Sequence, residues 1–557
     1  MKIHDTLIFA KAQLWISFKD SKNRIKYALV IGIVLLTGCS KDNKAAIIPN
    51  IPETENPEPE KPNNDDDIPT HDALLGSLCG FEGDLRKGQI YKGEGGATTY
   101  YNVPLFEATP EGSEDGWWDN LVEEIAYSGL DYVAANCRGL QPSYPIKYVD
   151  HGDPTRLKNL IEAMERRGVA DKFKIAIFDD CPASWEAARN EDLGRGYAGY
   201  SADNPGNRKP YPLKNINVDS KEFQDSIYRY IWDYNIRLAF QNIPEKYIFK
   251  YNGRPVVYFW GCGFVGDVPG KLSYILKRIR EDCIKEFQMD PLLIIDQDWA
   301  KRDNTLSSAT EAIGGINDWF NMSNPYTVRT FKDLTVGIGV PGFSVNDKSG
   351  NKMFLDADHG KLLGKTLSFC VKNHSEIMLL EGFTDVLENA AYWRSTDNVF
   401  YDFPNQRLNI LRKWSRNPYP DEFKVEVEAC DSFNDKSIGN RGGQYRKGDL
   451  DVKKCDDIYK GWCVTATEAG EWMKWNELPF SAGESIIKLR YSAQASVKIR
   501  LDINKEQGST IELPSTGGAW RDADIATINF EKKGWHEVKL NIISGEGDFN
   551  FFVIKKI

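Results

Sequence analysis

Between about residues 73 and 416 short apolar runs alternate with amphipathic stretches of ten to twenty residues, and no other feature narrows the choice of fold as much. The apolar runs are 74–81, 131–136, 174–178, 255–260, 292–296, 313–316, 337–343 and 376–381. Helical periodicity falls between them, at 116–128, 155–167, 220–239, 271–287 and 361–373. Strands that alternate with helices read as βα units on a parallel sheet. Eight of them predict an α/β fold, a (β/α)8 TIM-like barrel over 73–416 with loop insertions. A doubly wound open sheet is the alternative, because periodicity does not report closure. From Phe423 onward strand-length segments with Gly-rich turns replace this pattern, which predicts an all-β jelly-roll sandwich over 422–557. The connection Ser415 to Asp421, carrying Pro418 and Pro420, is short enough to hold the two domains together.

Ahead of both domains, Lys22, Arg24 and Lys26 precede the apolar run 28–36, which stops at Thr37-Gly38-Cys39. That run is too short for an ordinary membrane span and reads as a signal peptide over 1–39. The Leu36-Thr37-Gly38-Cys39 ending resembles the bacterial lipobox, which implies lipidation of Cys39 and stable anchoring by its acyl chains. Residues 40–72 are dominated by Pro, Glu, Asn and Asp and bury too little apolar surface to fold alone, so they are expected to form a tether. The expected location is the bacterial cell envelope, on the periplasmic face or the cell surface. Lys41-Asp42, close to Cys39, resembles the surface-export signal of Bacteroidetes lipoproteins.

A formal charge of −11 without a basic cluster argues against a nucleic-acid partner. Ten cysteines show no C-x-x-C spacing, so neither a zinc ribbon nor a redox motif is indicated. Cys79, Cys137, Cys181 and Cys262 end apolar runs as buried thiols do. Cys455 and Cys463 are candidates for a disulfide that sequence alone does not pair. Six histidines without H-E-x-x-H, and no G-x-S-x-G, leave acid and base chemistry to Asp and Glu, with no cofactor required.

A barrel of the expected type carries its site at the C-terminal ends of its strands. The polar residues there are Glu82, Asp84, Asn136, Arg138, Asp179, Asp180, Asp296, Asp298, Asp318, Asn346, Glu381, Asp385 and Glu388, with Trp260 and Trp319 among them. Any one of these acids has the alternative role of a helix cap or loop hydrogen-bond acceptor. Asp179, Asp180, Asp296 and Glu381 are expected to bind substrate, and Trp260, Trp319 and Tyr392 to offer stacking platforms or to fill the core.

In the C-terminal part, 425–429, Gly461-Trp462, 469–472, the turn 514–520 and Gly547-Asp548-Phe549-Asn550 resemble carbohydrate-binding modules of families 6 and 35. The resemblance implies a sugar cleft lined by Trp462, Trp520 and Asn550, since indole faces stack on pyranose C–H faces while an amide reads hydroxyls. Trp472 and Trp475 lie within a strand and read as core. The resemblance also implies a structural calcium at Glu426 and Glu428, although the place of a further aspartate ligand holds Phe552.

The stretch 381–394 resembles glycoside hydrolase families 99 and 71, whose motif here is Asn-Glu-Trp-x-Glu-Gly. This chain has Thr384-Asp385-Val386-Leu387-Glu388-Asn389, so Asp385 and Glu388 fall on the two acids while four positions depart. The whole chain, including Tyr101 to Phe106, resembles a secreted bacterial family of unknown function, number 5010. Together these resemblances imply a lipid-anchored glycoside hydrolase acting on an oligo- or polysaccharide, with Asp385 and Glu388 catalytic. A non-catalytic glycan-binding lipoprotein and a structural envelope protein are the alternatives.

Overall fold

The structure, a computed structural model, describes residues 68–80, 102–106, 114–138, 152–180, 227–262, 267–346, 352–386, 388–396 and 400–557. The signal peptide, Cys39, nearly all of the tether, Glu82, Asp84 and Cys181 lie outside the described residues. No helix among the described residues is long and apolar enough to cross a membrane.

In chain order the first strands are β1 (Leu74–Cys79), β2 (Tyr132–Cys137), β3 (Lys174–Asp179), β4 (Lys250–Tyr251), β5 (Arg254–Phe259) and β6 (Leu292–Asp296). They continue as β7 (Gly315–Asn317), β8 (Tyr326–Phe331), β9 (Leu334–Gly339), β10 (Phe343–Asn346), β11 (Lys352–Leu355) and β12 (Ile377–Leu380). One large sheet runs β7-β6-β5-β3-β2-β1-β12-β9-β8, with β4 paired to β5. All neighbours along that path are parallel except β9 and β8.

The expected (β/α)8 barrel is therefore corrected to a curled mixed sheet. Where a helix would join β7 to the next parallel strand, the chain instead makes the antiparallel hairpin β8–β9. Its two-residue turn, Lys332-Asp333, has Lys332 at a φ of 53°. Tyr326-Thr327-Val328 and Leu334-Thr335-Val336 are rich in β-branched Thr and Val beside an aromatic and a Leu, which favours strands over a crossover helix. The path ends, β7 and β8, pack side by side, but among the described residues no hydrogen-bonded ladder closes them. β10 and β11 form a separate antiparallel pair.

Both faces of the large sheet are covered, which is why its strands read as nearly continuous apolar runs. Val133, Ala135, Ile175, Ile177, Val257 and Ile295 face the helices 114–128, 157–166, 271–287 and 361–372. Tyr132, Ala134, Phe178, Tyr258, Ile294, Ile338 and Leu379 point to the opposite, inner side, capped by Phe249, Phe320 and Phe343. Gly76 makes that inner core possible, because a Cβ there would sit 2.2 Å from the Tyr132 ring. Tyr132 in turn donates its hydroxyl to the Met378 carbonyl at 2.8 Å.

The all-β expectation for the C-terminal part holds. Two antiparallel sheets face each other. One contains 422–426, 452–454, 462–464, 483–492, 521–530 and 548–556; the other contains 432–434, 472–480, 497–503, 510–513 and 534–544. The first strand of the sandwich, Glu422–Glu426, pairs with its last, Asp548–Lys556. Trp475 and Phe552 fill the space between the sheets edge to face, 5.2 Å apart.

The two domains share a buried polar boundary. Asn405 donates its side-chain amide to the Ala429 carbonyl and to Asp431 at 2.9 and 2.7 Å. Asn409, on the helix Gln406–Lys413, reaches the Glu477 carbonyl at 3.2 Å. At the other end Arg167 meets Glu123 and Glu426, each at 3.0 Å, while Lys424 lies 2.6 Å from Glu123 and 2.8 Å from Glu426.

Candidate functional site

The parallel strands deliver their polar residues to one edge of the large sheet. Asn136 and Arg138 leave β2, Asp179 and Asp180 leave β3, Trp260 follows β5, Asp296 ends β6, Trp319 follows β7 and Glu381 follows β12. The chain then folds back on itself. Gly382, at a φ of 59°, is required here, since a Cβ would stand 2.7 Å from that of Asp385. The Phe383 amide donates to the Leu78 carbonyl at 2.6 Å and the Thr384 hydroxyl to Gly80 at 2.9 Å, which pins one flank to the end of β1. On the other flank Asn389 donates to the Ser344 carbonyl at 2.7 Å, and Ser344 returns its amide to the Glu388 carbonyl at 2.8 Å.

Held in this way, Glu381, Asp385 and Glu388 place one oxygen each within 4.8 Å of one another. Asp385 accepts the Glu388 amide at 3.0 Å. Burial, then the neighbouring Asp385 and Asp180, push the Glu381 carboxyl well above the usual carboxylate range. Burial, Asp385 and Glu381 do the same to Glu388, against a smaller opposing pull from Arg138. That guanidinium is engaged by Asp180 at 2.7 Å. Crowding carboxyls in this way disfavours a further negative charge beside the first. Leu78, Trp117, Asn136, Arg138, Glu381 and Asp385 help line a recess of about 60 Å³ here.

The other expected site residues divide between two further places. Asp179 is fully buried and accepts the Asn235 amide, so it braces the strand end. Asp296 accepts the amides of Asp298 at 2.9 Å and Trp319 at 3.2 Å, and burial together with Asp298 raises its carboxyl to about 7. Trp260 and Trp319 are half-buried beside it, ring centroids 4.7 Å apart and nearly perpendicular. Gly261 leaves room for the two acids, its would-be Cβ 3.3 Å from Asp298 and 3.6 Å from Asp296. Tyr392 is wholly buried against Phe383.

In the sandwich, Trp520 follows the turn through Gly517 and Gly518 and donates its indole N–H to Asp456 at 2.7 Å. Asn550 is 1% exposed and donates to Asp457 at 3.0 Å. Asp457 also receives the Arg490 fork at 2.7 and 2.6 Å. The loop after residue 455 thus brings Trp520 and Asn550 to adjacent anchors. Trp462 is 6% exposed and packs on Tyr445, centroids 5.1 Å apart, which leaves little of its face for a ligand.

The paired glutamates offer an implied calcium only part of the about six to eight oxygens it takes. Glu426 Oε1 is engaged by Arg167 and Lys424, while Glu426 Oε2 and Glu428 Oε2 are buried without a hydrogen-bond partner among the described residues. Phe552 is buried and offers no oxygen. The sequence signal for Glu123 and Arg167 as the partners was absent, because they lie about 300 and 260 residues away from Lys424 and Glu426.

Residues 71–432 match a family described as a domain of unknown function, DUF5010. The chain belongs to that family. Residues 446–554 of this DUF5010 protein match family 35 of the carbohydrate binding modules, so a carbohydrate-binding module follows the DUF5010 domain. No curated protein matches it. Similar solved structures include the C-terminal family 6 module of LamC, a marine laminarinase from Zobellia galactanivorans, at 21% identity over 24% of this chain and 99% of that one, TM-score 0.20. A second is CsCBM6-3 from Clostridium stercorarium in complex with cellobiose, at 21% identity over 24% and 94%, TM-score 0.20. A third is the Podospora anserina β-(1,4)-mannanase that carries a family 35 module, at 11% identity over 24% and 28%, TM-score 0.18.

Proposed function

We propose that this protein is a glycoside hydrolase of oligo- or polysaccharides whose C-terminal module holds the polymer near the enzyme. The observation that carries the proposal is the convergence of Glu381, Asp385 and Glu388 at the strand ends, where burial and the neighbouring acids push the Glu381 and Glu388 carboxyls well above their usual range. Acetal cleavage needs one carboxylic acid to protonate the leaving oxygen and one carboxylate to assist attack. Glu388 is assigned the acid and Asp385 the carboxylate, with Glu381 behind them disfavouring a second negative charge. Trp260, Trp319, Asp180 and Asp296 are assigned to substrate contact, and Trp520 to glycan capture by the module, with Asn550 bracing through Asp457 the loop that holds it. A lipid on Cys39 is proposed to anchor the chain in the bacterial envelope, with the run ending in Leu36-Thr37-Gly38 as its support.

The departures at Thr384, Val386 and Asn389 from the paired-acid motif favour a second reading, a glycan-binding protein without turnover. Turnover of a polysaccharide panel separates the two. Glu388→Gln and Asp385→Asn are each expected to lose about 10²-fold or more. Equal activity in wild type and both variants would remove the assignment, and binding by wild type without turnover would establish the second reading. Loss of radiolabelled palmitate incorporation in Cys39→Ser is the expected sign of the anchor.

A further inference from the structure

The nine residues from Cys455 to Cys463 carry more of the molecule's connections than a surface turn of that length ordinarily does. Asp456 holds Trp520, Asp457 holds Arg490 and Asn550, and the Tyr459 carbonyl accepts the Arg167 guanidinium of the other domain. Their conformation is unfavourable in isolation. Tyr459, Lys460 and Gly461 follow one another at φ values of 65°, 52° and 82°, and left-handed backbone costs a non-glycine residue about 1 kcal/mol or more. Gly461 has no alternative, because a Cβ would lie 2.4 Å from Arg167. The flanking ladder is short, three residues on each side, Val452–Lys454 against Trp462–Val464. Two-stranded hairpins of this size are marginal without further support, and Ile458 at the tip is 53% exposed.

The two cysteines sit where a staple would act. Lys453 pairs with Cys463 across the ladder, and the Cys455 amide donates to the Gly461 carbonyl at 2.9 Å, which extends the register by one pair. Cys455 and Cys463 therefore lie diagonally on one face of the hairpin. Both are buried, and each is the leading influence on the other's thiol, holding Cys455 below and pushing Cys463 above the ordinary range. Cys370 and Cys430 have other neighbours: the first borders Gly337 together with Ser375, and the Arg446 guanidinium lies 3.6 Å from the second.

We propose that Cys455 and Cys463 form a disulfide that clamps the loop joining the module's glycan face to the N-terminal domain. With oxidised glutathione as the oxidant, the Cys455 thiolate attacks one sulfur and releases one glutathione thiolate, leaving a mixed disulfide. The Cys463 thiolate then attacks Cys455 Sγ, forms the Cys455–Cys463 bond and releases the second glutathione. Two electrons pass to the oxidant, and the two thiol protons end on the released glutathiones.

The test uses the full chain, incubated folded with oxidised glutathione, alkylated under denaturing conditions and digested with trypsin without reduction. Cleavage after Lys454, Lys460 and Lys474 turns the proposed bond into a cross-link between peptides 455–460 and 461–474. That cross-linked species is expected to dominate, while Cys370 and Cys430 are recovered alkylated. Recovery of Cys455 and Cys463 as alkylated thiols, at the yield of Cys370, would overturn the pairing. So would cross-links from either to another cysteine. Reducing the oxidised wild type is expected to lower the thermal midpoint of the sandwich by several degrees. A bond that forms and leaves that midpoint unmoved would overturn the clamping role.

Discussion

Replacing Arg167 by Met tests whether the two domains are joined by charge. The Arg167 side chain is 2% exposed and contacts Glu123 and Glu426, each at 3.0 Å, together with the Tyr459 carbonyl. Met keeps most of the volume and deletes the cation, which leaves two buried carboxylates sharing Lys424. Breaking a buried pair from one side costs about 3–5 kcal/mol. Lys424 still reaches both acids, at 2.6 and 2.8 Å, so the lower end, about 3 kcal/mol, is expected. Burial opposes ionisation of Glu123, but Lys424 and Arg167 outweigh it and hold its carboxyl below the usual range. A depressed carboxyl contributes stability above its unfolded value, and that contribution disappears as pH falls through the folded value. The wild-type advantage should accordingly be complete at pH 7 and shrink below about pH 4. Urea unfolding of the full chain at both pH values measures it, and Arg167→Met/Glu426→Gln should recover about 1–2 kcal/mol of the loss. A loss under about 1 kcal/mol at pH 7, or strict additivity in the double variant, would refute the charge-joined boundary.

Gly382→Ala should cost about 1–2 kcal/mol from the left-handed backbone and should disturb Asp385, read as parallel losses in unfolding free energy and in turnover. Asp296, raised to about 7, stabilises most below its unfolded value near 4, and the contribution is lost as pH rises to 7. The stability gap between wild type and Asp296→Asn should therefore move against the wild type by a few kcal/mol between pH 4 and 8, and a pH-independent gap would exclude the raised carboxyl. Trp520→Ala should weaken glycan binding by the isolated titration of the full chain about tenfold or more, through loss of a stacking face. Unchanged affinity would move the sugar site elsewhere on the module.

The repeating part of the fold was legible because burial on both sheet faces leaves an unmistakable trace: Leu292–Asp296 and Lys271–Phe287 fall where the apolar periods place them. Closure was not legible. The hairpin at 326–339 differs from a βα unit only in its β-branched content, and the apolar run 337–343 spans the end of β9 and the start of β10. The acids after β12 were readable, since carboxylates rarely follow a buried strand without a role. Their mutual approach was not, because it depends on the left-handed turn at Gly382 and on Ser344, about 40 residues earlier. Trp475 is core as its position in a strand indicates, whereas Trp472 is half-buried with the Lys539 ammonium 4.3 Å above its ring. Long-range pairs such as Arg167 and Glu426 leave no local pattern at all.

Asn405 and Asn409 grip the sandwich from within the N-terminal domain, so the seven-residue connection before it is not what sets its orientation. A module on a slack linker works as a leash, letting its catalyst graze anywhere within reach. One bolted down by buried amides and carboxylates works as a ruler: whatever chain it grasps is presented to the strand-end acids at a constant offset, and if the proposed hydrolysis holds, the lengths of the fragments released should cluster accordingly.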